Sequence, residues 1–152
     1  MEQLGTLDRA IRLQKVELFS ELETEWLALM ASIAKQIFLK RTETLFQQDD
    51  SVESLYVVLS GLIEMRRGGS VLFAVGPDET IGNWALFDRQ PSMVTAAAAE
   101  DSWLLRIDRE DFYELLADNS QMTPELFQAL FKRMRSLLSA GLGAGRGDGQ
   151  TG

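Results

Sequence analysis

Cysteine and histidine are missing from this 152-residue chain, and their absence removes whole classes of chemistry. Without cysteine there is no disulfide frame, and the cytoplasm is the expected compartment. Zinc centres, iron–sulfur clusters and the common haem attachments draw on those two side chains, so no metal and no cofactor is expected. Cys–His and Ser–His nucleophile pairs are impossible within the chain. Acidic pairs such as Glu21/Glu25 and Glu110/Asp111 read as solvated helix charges, and the chain is not expected to be an enzyme. Basic residues are also few, with 15 Lys and Arg against 23 Asp and Glu, a net charge of −8. The clusters Lys40–Arg41, Arg66–Arg67 and Lys132–Arg133 with Arg135 are too small to hold a phosphate backbone, so nucleic acid is not an expected partner. The first residues, MEQLGTLDRA, contain no apolar signal core. No apolar stretch approaches the roughly 18–20 residues of a membrane span, so no direct membrane insertion is expected.

What is present is an ordinary globular composition, 45% hydrophobic and 25% charged, in a length that suits one domain. Residues 6–19 have a loose helical spacing, and 22–34 a better one through Leu27, Met30, Ala31 and Ala34, with Trp26 at the edge of that face. From Lys35 to Asp108 the character changes. Short apolar or alternating runs occur at 35–39, 43–46, 54–60, 62–66, 70–75, 93–99 and 102–107, separated by turn residues such as Gly61, Gly68–Gly69 and Gly76–Asp78. Strands at this spacing predict an antiparallel sandwich or barrel. Helical pattern returns at 109–118, with Asp108 as its expected cap, and at 124–139, where Thr123–Pro124 is a start signal. Leu126, Phe127, Leu130, Phe131, Met134, Leu137 and Leu138 form a wide apolar stripe on that last helix. Residues 141–152 hold six glycines, and a disordered tail is expected there.

The most informative stretch is TIGNWALFDRQPSMV at 80–94. Gly82 can take backbone angles closed to other residues, and the amides after it can point at an anion. The stretch resembles the phosphate-binding cassette of the cyclic nucleotide-binding domain family, whose pattern Ile81, Gly82, Trp84, Ala85, Leu86 and Pro91 match. Asn83 stands where that family has a ribose-binding Glu, and Ser92 where it has a phosphate-binding Arg. Further likenesses are Leu18–Phe19, the strand SLYVVLSG at 54–61 and IDREDFYELL at 107–116, while Thr42, Gln48 and Asp78 replace common family glycines.

The resemblance implies a mainly β fold with flanking helices, an antiparallel β-roll (double-stranded β-helix). It divides the chain into a helical arm at 1–15, the domain at 16–139 and a Gly-rich tail at 140–152. It implies a regulatory or sensor domain whose ligand-binding residues are Ile81, Gly82, Asn83, Trp84, Ala85, Leu86, Arg89, Ser92 and Met93. A guanidinium on a phosphate is worth roughly 1.5–3 kcal/mol. Losing it along with the ribose carboxylate therefore implies weak or lost cyclic nucleotide binding. Arg89 is expected to face solvent. Trp84 and Met93 either fill the space a nucleotide would occupy or line a pocket for a flat, apolar ligand. Phe127, Leu130, Phe131 and Met134 are expected to pack over the cassette. No helix-turn-helix is expected within the sequence after residue 138, and self-association or linkage to a larger protein through the terminal helices is one expectation. The alternatives are a working cyclic AMP or cyclic GMP receptor domain, or a protein-interaction domain of a larger transporter or signalling protein.

Overall fold

The computed structural model describes residues 1–151, with side chains to Gly141. The chain runs through α1 (Thr6–Gln14), a 3₁₀ turn (Glu17–Phe19), α2 (Thr24–Ile33), then β1 (Lys35–Leu39), β2 (Thr44–Phe46), β3 (Ser54–Ser60), β4 (Ile63–Arg67), β5 (Ser70–Val75) and β6 (Thr80–Ile81). A second 3₁₀ turn (Asn83–Leu86) precedes β7 (Thr95–Ala98), β8 (Ser102–Asp108), α3 (Arg109–Asp118) and α4 (Met122–Thr151). The Gly-rich tail expected over 140–152 lies, from residue 142 onward, outside the residues whose side chains are described.

The strands form two antiparallel four-stranded sheets, in the orders β1-β8-β3-β6 and β2-β7-β4-β5. This is the β-roll with flanking helices that the resemblance implies, and it bears out the antiparallel architecture that the strand spacing predicts. Alternation along the strands divides its core in two, because successive side chains leave a strand on opposite faces. Leu55, Val57 and Leu59 of β3, with Leu105 and Ile107 of β8, face outward and pack against the helices. Val58 and Leu104, on the other face of the same strands, join Leu39, Ile63, Met65, Val75, Ala96 and Ala98 inside the roll. Each large side chain buried this way contributes about 1.5–3 kcal/mol. Ala10 and Leu13 of α1 lie in the outer cluster too, and Arg12 bonds the Leu59 carbonyl at 2.7 Å.

Several local expectations are corrected. Strand β6, only two residues long, pairs Ile81 with Tyr56 and was hidden inside the cassette pattern. Trp26 is buried in the outer cluster rather than set at an edge. Thr42 and Asp78 do take left-handed backbone angles, but the third such non-glycine residue is Asp49, not Gln48. Asp108 precedes α3 without capping it. Its carboxylate is held instead by Ser54 Oγ at 2.7 Å, Lys35 Nζ at 2.9 Å and Arg106 Nε at 3.0 Å. A hydroxyl and two cations compete better for it than backbone amides. No described helix is long and apolar enough to cross a membrane.

Candidate functional site

The cassette starts where β6 ends. Gly82 has φ +77° and ψ 36°, a left-handed conformation, and a Cβ there would sit 2.9 Å from the Ser54 carbonyl oxygen. Glycine is therefore required both for conformation and for space. The chain then tightens into the 3₁₀ turn, with Ala85 N–H donating to the Gly82 carbonyl at 2.8 Å and Asp88 N–H to that of Trp84 at 2.7 Å. Ala85 is buried in the roll interior and Leu86 among the helices, so the turn is a seam between the two cores.

A buried arginine fastens this seam. Arg109, the first residue of α3, donates through Nε to the Ala85 carbonyl, and through Nη2 to those of Val52 and Asp88 at 3.1 Å each. Its own N–H bonds the Glu53 carbonyl at 2.8 Å. Phe87 meets Phe112 of α3 edge-on, ring centres 5.9 Å apart. Sequence reasoning marked IDREDF as family-like and missed the part Arg109 plays. The signal was an arginine at a helix start directly after an apolar strand, where an unpaired charge would not be tolerated.

Ser92 is closed into its own turn. It is 1% exposed, its hydroxyl donates to the Val94 carbonyl at 2.7 Å, and Val94 N–H returns a bond to Oγ at 3.2 Å. Its backbone pairs with Asp49 and Asp50. Asn83 lies beside a cavity of about 250 Å³ bounded by Glu17, Asp78 and, from α4, Arg133, and its enclosed Oδ1 meets no donor among the described residues. Arg89 is exposed, as expected. Trp84 is half-buried, but Met93 is 66% exposed, which corrects the reading that both fill the interior. Residues of the two sheets form the buried cluster inside the roll.

The expected contact of α4 with the cassette is also corrected. Phe127 and Phe131 are both 56% exposed, Met134 faces solvent as well, and Leu130 packs on the outer cluster. The helix is held by a neighbouring face. Leu126 and Ala129 are buried, Arg133 Nη1 reaches Glu17 at 2.9 Å, and Lys132 Nζ reaches Glu21 at 3.1 Å.

A larger cleft, about 840 Å³, opens at the end of the roll between β3, β8, α3 and Arg89. Its floor is two cross-strand pairs, Ser54 opposite Asp108 and Tyr56 opposite Arg106. Burial pushes the Asp108 carboxyl up, but bonds from Lys35 and Ser54 and the Arg106 charge outweigh that and hold it below the usual range. Burial raises the Tyr56 phenol, against the opposing pull of Arg106.

Comparison with known proteins agrees with this geometry. The family profile described as the cyclic nucleotide-binding domain matches residues 36–119. The cyclic AMP receptor protein of Thermus thermophilus is 31% identical over 78% of this chain and 57% of its own length. A cAMP-dependent protein kinase regulatory subunit of Eremothecium gossypii is 28% identical over 91% of this chain and 30% of its own. This chain thus spans little more than half, or less, of those relatives. Among solved structures, the N-terminal domain of a transcriptional regulator from Streptomyces coelicolor superposes with a TM-score of 0.77 at 30% identity, covering 85% of this chain and 94% of that one. The two antiparallel sheets, the glycine-led turn closing β6 and the profile match across more than half the sequence make this chain a member of the cyclic nucleotide-binding domain family.

Proposed function

We propose that this is a non-catalytic regulatory domain in which the cassette serves as structure, with cyclic nucleotide binding weak or lost. The observation that carries the reading is Ser92, which stands at the phosphate-reading position. It brings no positive charge, and its hydroxyl is already bonded within its own turn. Replacing a charged, bidentate contact and a ribose carboxylate removes on the order of 3–5 kcal/mol of binding, or about two to four decades of affinity. The curated relatives named for cyclic AMP favour the opposite outcome, a working receptor domain. Calorimetry with cyclic AMP and cyclic GMP separates the two. Binding is expected to be weaker than the low micromolar range, and a dissociation constant at or below that range overturns the proposal.

A second reading concerns partners. The exposed apolar stripe of α4, Phe127, Phe131, Met134, Leu137 and Leu138, favours a domain that associates through its last helix, with a second copy or within a larger cytoplasmic protein.

A further inference from the structure

The larger cleft, at the end of the roll, is not the cassette pocket. Of the residues expected to bind a nucleotide, Arg89 alone lines it. Much of its polar wall is already engaged. Ser54 donates to Asp108, Asp108 also takes Lys35, and the Arg109 guanidinium is held by backbone carbonyls. What remains available is divided by sign. Arg106 pairs with Asp108 through its enclosed Nε, 3.0 Å from Oδ1, and its side chain, 34% exposed, still lines the cleft. Among the described residues nothing pairs with the Arg89 guanidinium. Glu110 and Glu114 stand one turn apart on α3, with Tyr113 and Ala117 also lining the cleft, and Glu53 lines it as a third carboxylate; among the described residues none of the three carboxylates has a hydrogen-bond or ion-pair partner.

A simple anion meets Arg89 and Arg106 but also the α3 carboxylates, and a simple cation meets the reverse. A molecule with both charges satisfies both sets of groups. We infer that the cleft binds a small zwitterion of the amino-acid or dipeptide type, its carboxylate on Arg89 and Arg106 and its ammonium on Glu110 and Glu114. Tyr113 and Ala117 border the space left for a side chain. The cleft's volume lies within the roughly 300–1,000 Å³ of small-molecule sites. A ligand there joins the cassette loop, through Arg89, to α3, and it does so whether or not the cassette binds a nucleotide.

The experiment titrates the whole chain with each of the twenty common amino acids and a set of dipeptides, followed by backbone amide resonances and calorimetry. Cyclic AMP and N-acetyl amino-acid amides are the comparators. At least one zwitterion is expected to bind and to move resonances around Arg106 and along α3. Its affinity is expected to fall at least tenfold in Arg89→Gln and in the double variant Glu110→Gln/Glu114→Gln, while melting is unchanged because these side chains are exposed. The acetylated amides, which lack both charges, are expected not to bind, and cyclic AMP not to compete. Three results overturn the inference: no probe binds, the variants bind as well as the parent, or the acetylated amides bind equally. None of them bears on the cyclic nucleotide calorimetry, so the two proposals fail separately.

Discussion

Arg109 and Ala85 are 24 positions apart in sequence, and the guanidinium of the first donates to the backbone carbonyl of the second inside the protein. With the bonds to Val52 and Asp88, one side chain ties α3, the cassette turn and the approach to β3 into a single unit. Any displacement of the cassette must break these bonds or carry the start of α3 with it.

Replacing Arg109 by alanine leaves three carbonyls without that partner. Each bond to a charged group contributes roughly 1.5–3 kcal/mol, so a loss on the order of 3 kcal/mol or more is expected in urea unfolding. Lysine, which keeps the charge but not the fork, should recover part of it. Amides 83–88 should also lose hydrogen-exchange protection in Arg109→Ala. A loss below about 1 kcal/mol with protection intact would show that the strut is dispensable.

Gly82→Ala should cost about 2 kcal/mol or more, because a left-handed alanine is strained and its Cβ meets the Ser54 carbonyl. A melt within a degree or so of the parent would contradict the observed close approach.

Ser92→Ala removes the hydroxyl that closes its turn and leaves the Val94 amide unmet, for about 1–3 kcal/mol. For the same reason Asn83→Glu with Ser92→Arg is expected to lose stability before it gains a nucleotide. Calorimetry and melting of the double variant decide this, and a stable variant that binds cyclic AMP tightly would refute it.

Phe131→Asp is expected to leave the melt within about 0.5 kcal/mol, since the ring is more than half exposed. Sedimentation should shift toward a smaller species if the stripe is an association surface. Leu126→Ala, on the buried face of the same helix, should cost about 2–5 kcal/mol. Strong destabilisation by Phe131→Asp in a monomer would mean that α4 packs through its other face.

The Asp108 network predicts opposite limbs of a pH profile. The Asp108 carboxyl is held below its ordinary 3.8, so its stabilisation is full above that value and is lost as pH falls from there through the folded value. Lys35 is raised above 10.5, chiefly by its bond to Asp108, so its contribution is full below 10.5 and is lost as pH rises through the folded value. Asp108→Asn should flatten both limbs in denaturant midpoints measured across pH. Unchanged limbs would place the dependence elsewhere.

The sequence by itself determined the sheet-and-helix order, the positions of seven of the eight strands to within a residue or two, and the glycine turn of the cassette. These follow from local chemistry: the period-two alternation, residues able to take positive φ, and a proline near a helix start. Its resemblance to the family's cassette also sets Asn83 and Ser92 where that family has its ribose- and phosphate-reading side chains, an alignment that needs the chain alone. Tertiary structure decided which polar groups remain free. Ser92 closes its own turn, Asp108 turns from the helix it precedes toward Lys35 and Ser54, and Arg109 becomes a buried strut. It also decided that α4 rests on Leu126 and Ala129 while the phenylalanine stripe stays in water. The physical reason is common to all of these. Apolar periodicity constrains one face of one element, whereas hydrogen bonding and helix rotation depend on groups that meet only after distant segments pack.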